Sequence, residues 1–245
     1  MEPRTYRHWV EGRDLVSFKV IVKESDLYIR ASSNLQRKAY RLVVKYRSIL
    51  EKYIEQHPIF LTSLEPIAVN KDAPRIVKLM AEAGEKAKVG PMAAVAGAIA
   101  DFVGTELATF SPEVIIENGG DIYLKSSRKR VVGIYAGKSP LTGKVGLEIN
   151  GEDTPIGIST SSGTVGHSLS FGKADAATAV AESATLSDAA ATAIGNLVKV
   201  PEDMTQALEF AQGIQGLKGV LIIKDDKMAV WGELRLCQVS PAEDN

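Results

Sequence analysis

The chain has 245 residues, of which 45% are hydrophobic and 24% are charged. This composition excludes a largely disordered chain, and the length allows one large domain or two small ones. The formal net charge of −1 excludes a global attraction to nucleic acid or acidic membranes, and the single cysteine, Cys237, excludes an intrachain disulfide.

The first third of the sequence predicts a β-hairpin followed by two helices. Residues 16–22 alternate in polarity, and residues 27–31 follow after a polar break. Apolar residues then recur at intervals of three and four from Leu35 to Ile54, as on one face of an amphipathic helix. We expect a second helix to begin at Asp72, which would be its N-cap, with a proline in the first turn.

The rest of the sequence predicts a buried helix and then grouped strands and helices. Residues 89–101 are rich in small side chains, which let a helix approach its neighbours closely. Short β-type runs predict an antiparallel meander at residues 114–117, 122–124, 131–135 and 145–149. Further predicted elements are a strand pair at 155–160 and 176–182, helices at 185–197 and 202–212, and a hairpin at 220–223 and 228–231.

This grouping predicts an α+β fold, a single domain of antiparallel sheets packed with helices. The N-terminal segment lacks the apolar run of a signal peptide, and the most apolar stretch, residues 89–103, is shorter than a bilayer requires. We therefore expect a soluble cytoplasmic protein with no membrane partner. Self-association of an antiparallel sheet would make it a homo-oligomer.

The strongest local signal for a binding site lies near Asp188. Asp188 and Thr192 are four residues apart and share one face of the predicted helix. A carboxylate and a hydroxyl are hard oxygen donors that suit Mg²⁺. The alternative is structural, because Thr185 and Asp188 have the spacing of a capping box, and the pattern alone favours this cap.

A Gly/Ser/Thr segment before this helix can form an anion-binding concavity, although such a composition is also typical of mobile surface loops. The residues predicted to hold phosphate are Ser159, Thr160, Ser161, Ser162 and Gly163. His167 follows and is a candidate proton carrier or phosphate donor, with a purely structural histidine as the alternative.

A second glycine-rich segment joins two predicted strands. Asn118, Gly119, Gly120 and Asp121 have the composition of a tight hairpin turn. The functional interpretation is that a ligand lies against this bare backbone, with Asn118 or Asp121 bonding it. The basic turn at 125–130 has no interleaved aromatic residues, so we assign it to solvent or weak phosphate steering rather than to nucleic-acid binding.

Taken in order, these segments resemble the ApbE family, whose members use Mg²⁺ to transfer FMN from FAD to a protein threonine. Residues 97–101 resemble its Gly-Tyr-Ala-x-Asp segment, residues 118–121 its Asn-x-Gly-Gly-Asp turn, and residues 158–161 its Ser-Thr-Ser-Gly strand end. His167 and residues 188–192 resemble its histidine and its Asp-Ala-x-Ala-Thr metal motif. The resemblance covers roughly residues 89–200 and implies an ApbE-like, T-fold-related single domain over residues 1–245.

The resemblance implies roles for these residues. Asp188 and Thr192 would bind Mg²⁺, and the serine-rich segment would bind the phosphates of FAD. His167, or Asp188, would accept the proton of the acceptor hydroxyl, while Asn118 and Asp121 would orient the nucleotide. The implied partners are a flavin nucleotide or another phosphate-bearing small molecule, and a cytosolic acceptor protein.

The sequence also departs from the family pattern. His167 is followed by Ser168 rather than by Asp-Pro-x-Thr-Gly, and Ala96 and Ala98 replace the usual lysine and tyrosine. No flavin-ring pocket is identified in residues 1–88. The chain resembles a short cytoplasmic branch of the family. Two alternatives stay open: a non-catalytic flavin- or nucleotide-binding protein, and a different hydrolase or transferase for a small phosphorylated substrate.

Overall fold

The computed structural model of the protein describes residue 12, residues 14–163 and residues 171–239. His167 lies outside the described residues. The helices are α1 (Gln36–Gln56), α2 (Ile59–Thr62), α3 (Arg75–Ala87), α4 (Val95–Leu107), α5 (Ala184–Leu197) and α6 (Met204–Gln212). The strands are β1 (Val16–Val22), β2 (Ser25–Ala31), β3 (Val114–Asn118), β4 (Asp121–Lys125), β5 (Arg130–Gly133), β6 (Val145–Ile149), β7 (Ile156–Ser161), β8 (Ala176–Ala181), β9 (Leu217–Lys224), β10 (Lys227–Gly232) and β11 (Arg235–Gln238).

The described strands form two antiparallel sheets. The larger has eight strands in the order β1-β2-β3-β4-β7-β8-β9-β10, and the smaller has three in the order β11-β6-β5. One face of the large sheet packs on the helices, where Ile116 shares a core with Val103 of α4. The other face packs on the small sheet, where Ile115 shares a second core with Leu147. The fold is α+β with antiparallel sheets, as the sequence predicts.

Most predicted elements are observed, but two features differ. The predicted meander is split, because β4 pairs with β7 while β5 and β6 leave for the small sheet. The prediction that Asp72 caps the second helix is wrong. The chain stays extended at Pro74, with φ −53° and ψ 146°, so α3 begins at Arg75 without a side-chain cap.

The basic turn at 125–130 differs from its solvent-facing interpretation at Arg130, whereas Arg128 and Lys129 are exposed as predicted. The guanidinium of Arg130 is buried and pairs with Asp14 at 2.6 Å and with Glu113 at 3.0 Å. Ser126 and Ser127 donate further hydrogen bonds to the carboxylate of Glu113. This turn therefore holds the end of β4 to the start of β3.

No single helix among the described residues has the length and apolar content needed to cross a membrane. Residues 75–87 and 91–107 pass that test only as a pair, and the pair is bent by 106°.

Candidate functional site

The candidate site begins where α4 meets α5. The carboxylate of Asp188 accepts a hydrogen bond from the backbone N–H of Gly97 at 2.8 Å. A Cβ added to Gly97 would lie 2.1 Å from the carbonyl oxygen of Ala184, so only glycine lets the two helices approach this closely. The first amides of a helix lack intrahelical partners and carry partial positive charge. Asp188 of α5 thus accepts a hydrogen bond from the first turn of α4.

The glycine turn between β3 and β4 lies beside this contact. Gly119 and Gly120 have φ angles of 72° and 113°, values that favour glycine. The side chain of Asn118 donates to the carbonyl oxygen of Ala96 at 3.0 Å, which ties the turn to the residue before Gly97. A Cβ on Gly119 would meet no atom within 4 Å, so its backbone faces open space. A ligand can lie directly against it.

Asp121 opens β4 on the same side of the site. It pairs across the sheet with Ser159 of β7. Burial and the nearby carboxylate of Glu117 raise the pKa of Asp121 to about 7, against the opposing effect of a hydrogen bond with Ser159. Burial and repulsion by Asp121 also raise the pKa of Asp188 well above its usual range. The two carboxylates therefore share one poorly solvated region.

Ionisation of both carboxylates would give the site a surplus of negative charge, which a bound cation would neutralise. Among the residues that the structure describes, no three His, Cys, Asp or Glu side chains are grouped as a metal cluster. Mg²⁺ fits this donor set, because it commonly binds one or two carboxylates and completes its shell with water and substrate phosphate. Thr192 lies one turn beyond Asp188 on α5 and is half-buried, so both side chains predicted to hold Mg²⁺ share one helix face.

The capping-box interpretation of Asp188 is wrong. The N-cap of α5 is Ser183, whose hydroxyl accepts from the N–H of Leu186 at 3.2 Å. The spacing of Thr185 and Asp188 therefore has no capping role on α5. Asp188 is directed away from its own first turn and towards α4.

Asp101 of α4 is a site-supporting residue that the sequence reasoning missed. Its carboxylate accepts from the N–H groups of Ala184 and Thr185, at 2.9 and 2.7 Å. Burial raises the pKa of Asp101, although these hydrogen bonds oppose the shift. The signal was present, since Asp101 ends the segment 97–101 that carries the family resemblance.

The predicted phosphate-binding segment lies on β7 as far as Ser161, in agreement with the strand predicted at 155–160. The hydroxyl of Ser159 is buried and lies 2.7 Å from that of Ser187, and the hydroxyl of Thr160 lies 2.9 Å from that of Thr178. Ser161 and Ser162 are half-buried, and Gly163 is exposed. The backbone N–H of Gly163 donates to the carbonyl oxygen of Ala174. Ser159 thus adjoins Asp121, and the backbone N–H of Thr160 donates to the carbonyl oxygen of Gly120 in the glycine turn at 3.3 Å.

A groove of about 630 Å³ opens beside Asn118 and the start of α4. No sequence motif marks this groove, because much of its wall comes from residues between Lys23 and Leu61, a part of the chain without a motif. Its apolar lining consists of Leu50, Ile54, Leu61, Met92, Val95, Ala96 and Ile99. Its polar lining includes Arg47, which donates to the hydroxyl of Ser25 at 2.8 Å and pairs with the carboxylates of Glu24 and Glu51. A cleft that combines apolar walls with a few placed polar groups is typical of small-molecule sites.

Comparisons with known proteins agree with this architecture. The family model described as AbpE bacteria matches residues 7–230. A UPF0280 protein of Methanocaldococcus jannaschii is 43% identical over 222 residues, covering 88% of this chain and 90% of that protein.

Two solved structures share the fold at low sequence identity. The apo flavinyl transferase ApbE of Pseudomonas stutzeri has a TM-score of 0.57 at 13% identity, covering 89% of this chain and 93% of that chain. The ApbE protein of Thermotoga maritima MSB8 has a TM-score of 0.57 at 14% identity, covering 89% of this chain and 97% of that chain. The family resemblance predicted from the motifs is confirmed: the chain belongs to the AbpE bacteria family and has an ApbE-like fold.

Proposed function

We propose that the protein is a Mg²⁺-dependent flavin transferase that moves FMN from FAD, or a related nucleotide, to an acceptor protein in the cytosol. The observation that carries the proposal is the meeting of Asp188, the start of α4 and the glycine turn beside an apolar groove. The transferases that share this fold support the choice of substrate.

The groove supports the binding of a flavin ring. Its apolar walls from α1 and the start of α4 would cover the faces of a planar ring system. The Nη groups of Arg47, in the same lining, are paired with Ser25, Glu24 and Glu51, whereas its Nε–H has no partner among the described residues and could donate to the polar edge of that ring. Under this proposal the groove is the flavin-ring pocket, for which residues 1–88 contain no recognisable motif.

The glycine turn and the carboxylates would hold the pyrophosphate end of the nucleotide. The open backbone of Gly119 allows a phosphate to approach without a side chain in the way. Asp188 and Thr192 would hold Mg²⁺, which supplies charge neutralisation on the pyrophosphate as AMP leaves. Asn118 and Asp121, which flank the two glycines of the turn, would orient the nucleotide.

In the transfer, the acceptor hydroxyl oxygen bonds to the FMN phosphorus, and the bond from that phosphorus to the AMP oxygen breaks. The hydroxyl proton needs an acceptor, and His167 stays the predicted base. Asp188 is the alternative base that the sequence predicts.

The proposal is tested by incubating the full chain with FAD, Mg²⁺ and candidate cytosolic acceptor proteins. We expect release of AMP and a matching gain of FMN mass on an acceptor threonine. Asp188→Asn should lower the rate by about a hundredfold, whereas Glu209→Gln, an exposed carboxylate on α6, should leave it unchanged. Absence of AMP under every condition would remove the transferase claim.

A non-catalytic flavin- or nucleotide-binding protein is the second candidate. It is favoured by the replacement of the Asp-Pro-x-Thr-Gly segment after His167, where Ser168 begins a different sequence. Thermal stabilisation by FAD without any AMP release would support this candidate over the transferase.

A further inference from the structure

A second groove, with a volume of about 500 Å³, lies between β1 and the first half of α1. Strand β1 is at one end of the eight-stranded sheet, and within the described ranges it pairs only with β2. Its lining includes Lys19, Ile21, Gln36, Arg37, Tyr40 and Arg41. None of these lines the groove beside Asn118, so this is a separate surface.

We infer that this groove binds an extended, acidic segment of a partner protein, which adds a strand to the side of β1 that faces away from β2. The inference does not depend on the proposed transferase activity. It rests on three features of the groove: the backbone of the edge strand, the charge of the walls and the exposed apolar side chains.

The backbone of β1 has hydrogen-bonding groups directed into the groove. The side-chain amide of Gln36 donates to the carbonyl oxygen of Lys19 at 2.9 Å, which shows that this carbonyl points away from β2. In an antiparallel ladder the residues two positions away point to the same side, so Ser17 and Ile21 share this orientation. An extended peptide can therefore form main-chain hydrogen bonds here, as peptides do in grooves between an edge strand and a helix.

The walls of the groove select an acidic occupant. Lys19, Arg37 and Arg41 are exposed and basic, and no lining residue is acidic. Arg37 and Arg41 are four residues apart and share one face of α1. Asp26, whose carboxylate lies 3.5 Å from the ammonium of Lys19, offsets one of these charges. The remaining positive charge would attract carboxylates along the bound segment.

Two large side chains in the groove are exposed to solvent. Ile21 is 55% exposed and Tyr40 is 52% exposed. Ile21 alternates with Val20, which is buried in the core with Ala39 and Val43 of α1, so the side chain of Ile21 lies on the sheet face away from α1. A bound strand can therefore place apolar residues beside Ile21 on that face and acidic residues beside Arg37 and Arg41 on the other. The partner segment should therefore alternate between acidic and apolar residues.

The inference is tested with the full chain and fluorescein-labelled eight-residue peptides, measured by fluorescence anisotropy at low salt. The peptide of alternating valine and glutamate should bind about tenfold more tightly than the peptide of alternating valine and lysine. The double variant Arg37→Glu, Arg41→Glu should weaken binding of the acidic peptide about tenfold. The matched control, Lys71→Glu with Lys86→Glu, makes the same charge change at exposed residues outside the groove and should have no effect.

The variant Ile21→Pro tests strand addition separately from charge. Proline removes the outward N–H of Ile21 while leaving the ladder with β2 intact, so the circular dichroism spectrum should be unchanged and peptide affinity should fall about fivefold. Unchanged affinity in this variant would overturn strand addition, and equal binding of both peptides would overturn the acidic specificity.

Three other occupants of the groove would also overturn the inference. Single-stranded RNA that binds the groove more tightly than the acidic peptide would identify a nucleic-acid surface. A dimer in analytical ultracentrifugation that Ile21→Pro dissociates would identify a second copy of the chain. Acidic-peptide binding that appears only after deletion of residues 2–11 would identify the chain's own N-terminal segment.

Discussion

The carboxylate of Asp188 and the backbone N–H of Gly97 are 2.8 Å apart, although 91 residues separate them in the chain. This contact joins α5 to the start of α4, and Asn118 joins the same start to the glycine turn through the carbonyl of Ala96. Three separate segments of the sequence are thereby held around one region of negative charge. The contact requires a glycine at position 97, and this requirement can be tested.

Gly97→Ala should destabilise the protein by about 3 kcal/mol, because its Cβ would overlap the backbone of Ala184 and force α4 away from α5. Urea unfolding followed by circular dichroism measures the change. The control is Gly213→Ala, where the added Cβ would lie 3.4 Å from the nearest atom, the carbonyl oxygen of Phe210, and where φ is −79°. Equal stability of the two variants would show that the helices do not approach as closely as described.

Asp121→Asn should change how stability depends on pH in the metal-free protein. The folded-state pKa of Asp121 is raised from 3.8 to about 7, so between these values the folded state holds a proton that the unfolded state has lost. The free energy of unfolding therefore decreases as pH rises through this range. The asparagine variant lacks this contribution and should gain about 2 kcal/mol over wild type between pH 5 and pH 8.

Urea unfolding with EDTA at both pH values measures this difference. Asp226→Asn, which changes an exposed aspartate in the turn after β9, is the control and should follow wild type. Parallel behaviour of wild type and Asp121→Asn would mean that the carboxylate of Asp121 is well solvated in the folded protein.

Glu113→Gln should have the opposite pH dependence. Burial alone would raise the pKa of Glu113, but hydrogen bonds from Ser126, Ser127 and Arg130 outweigh it and lower the pKa from 4.5 to about 2. The stability that this carboxylate contributes is complete above pH 4.5 and is lost as pH falls towards 2. The variant should cost about 3 kcal/mol at pH 7 and much less near pH 2.5.

Equilibrium unfolding at both pH values checks this expectation, with Glu65→Gln as the exposed control. A cost for Glu113→Gln that is the same at pH 7 and at pH 2.5 would contradict the ionised network around Arg130.

The local pattern of the sequence was sufficient for most of the fold. Hydrophobic periodicity predicted the helix at 185–197, observed as Ala184–Leu197, because side chains on one face must meet the core. The burial of Arg130 could not be predicted in this way. Its partners Asp14 and Glu113 are 116 and 17 residues away, and charge spacing within one turn carries no information about them.

The candidate site was predictable only in its pieces. The ordered motifs predicted Asn118, Asp121 and Asp188 as site residues, and the structure places all three near the start of α4. Asp101 ends the segment 97–101 that carries the resemblance, but its hydrogen bond to Ala184 was not predictable from local patterns, since the two residues are 83 positions apart. The groove beside Asn118 was not predicted, because the apolar residues of its walls have the same spacing in the sequence as those of any helix face that packs on the core.

The central claim is that the groove beside Asn118 and the Asp188 site bind one flavin nucleotide together. The most direct measurement is titration of FAD in the presence of Mg²⁺ against wild type and Val95→Trp, which fills the groove at its apolar wall. We predict that the tryptophan raises the Kd for FAD about tenfold, while Val44→Trp, at an exposed valine of α1 outside this groove, leaves it unchanged. Equal FAD affinity in Val95→Trp and wild type would contradict the account.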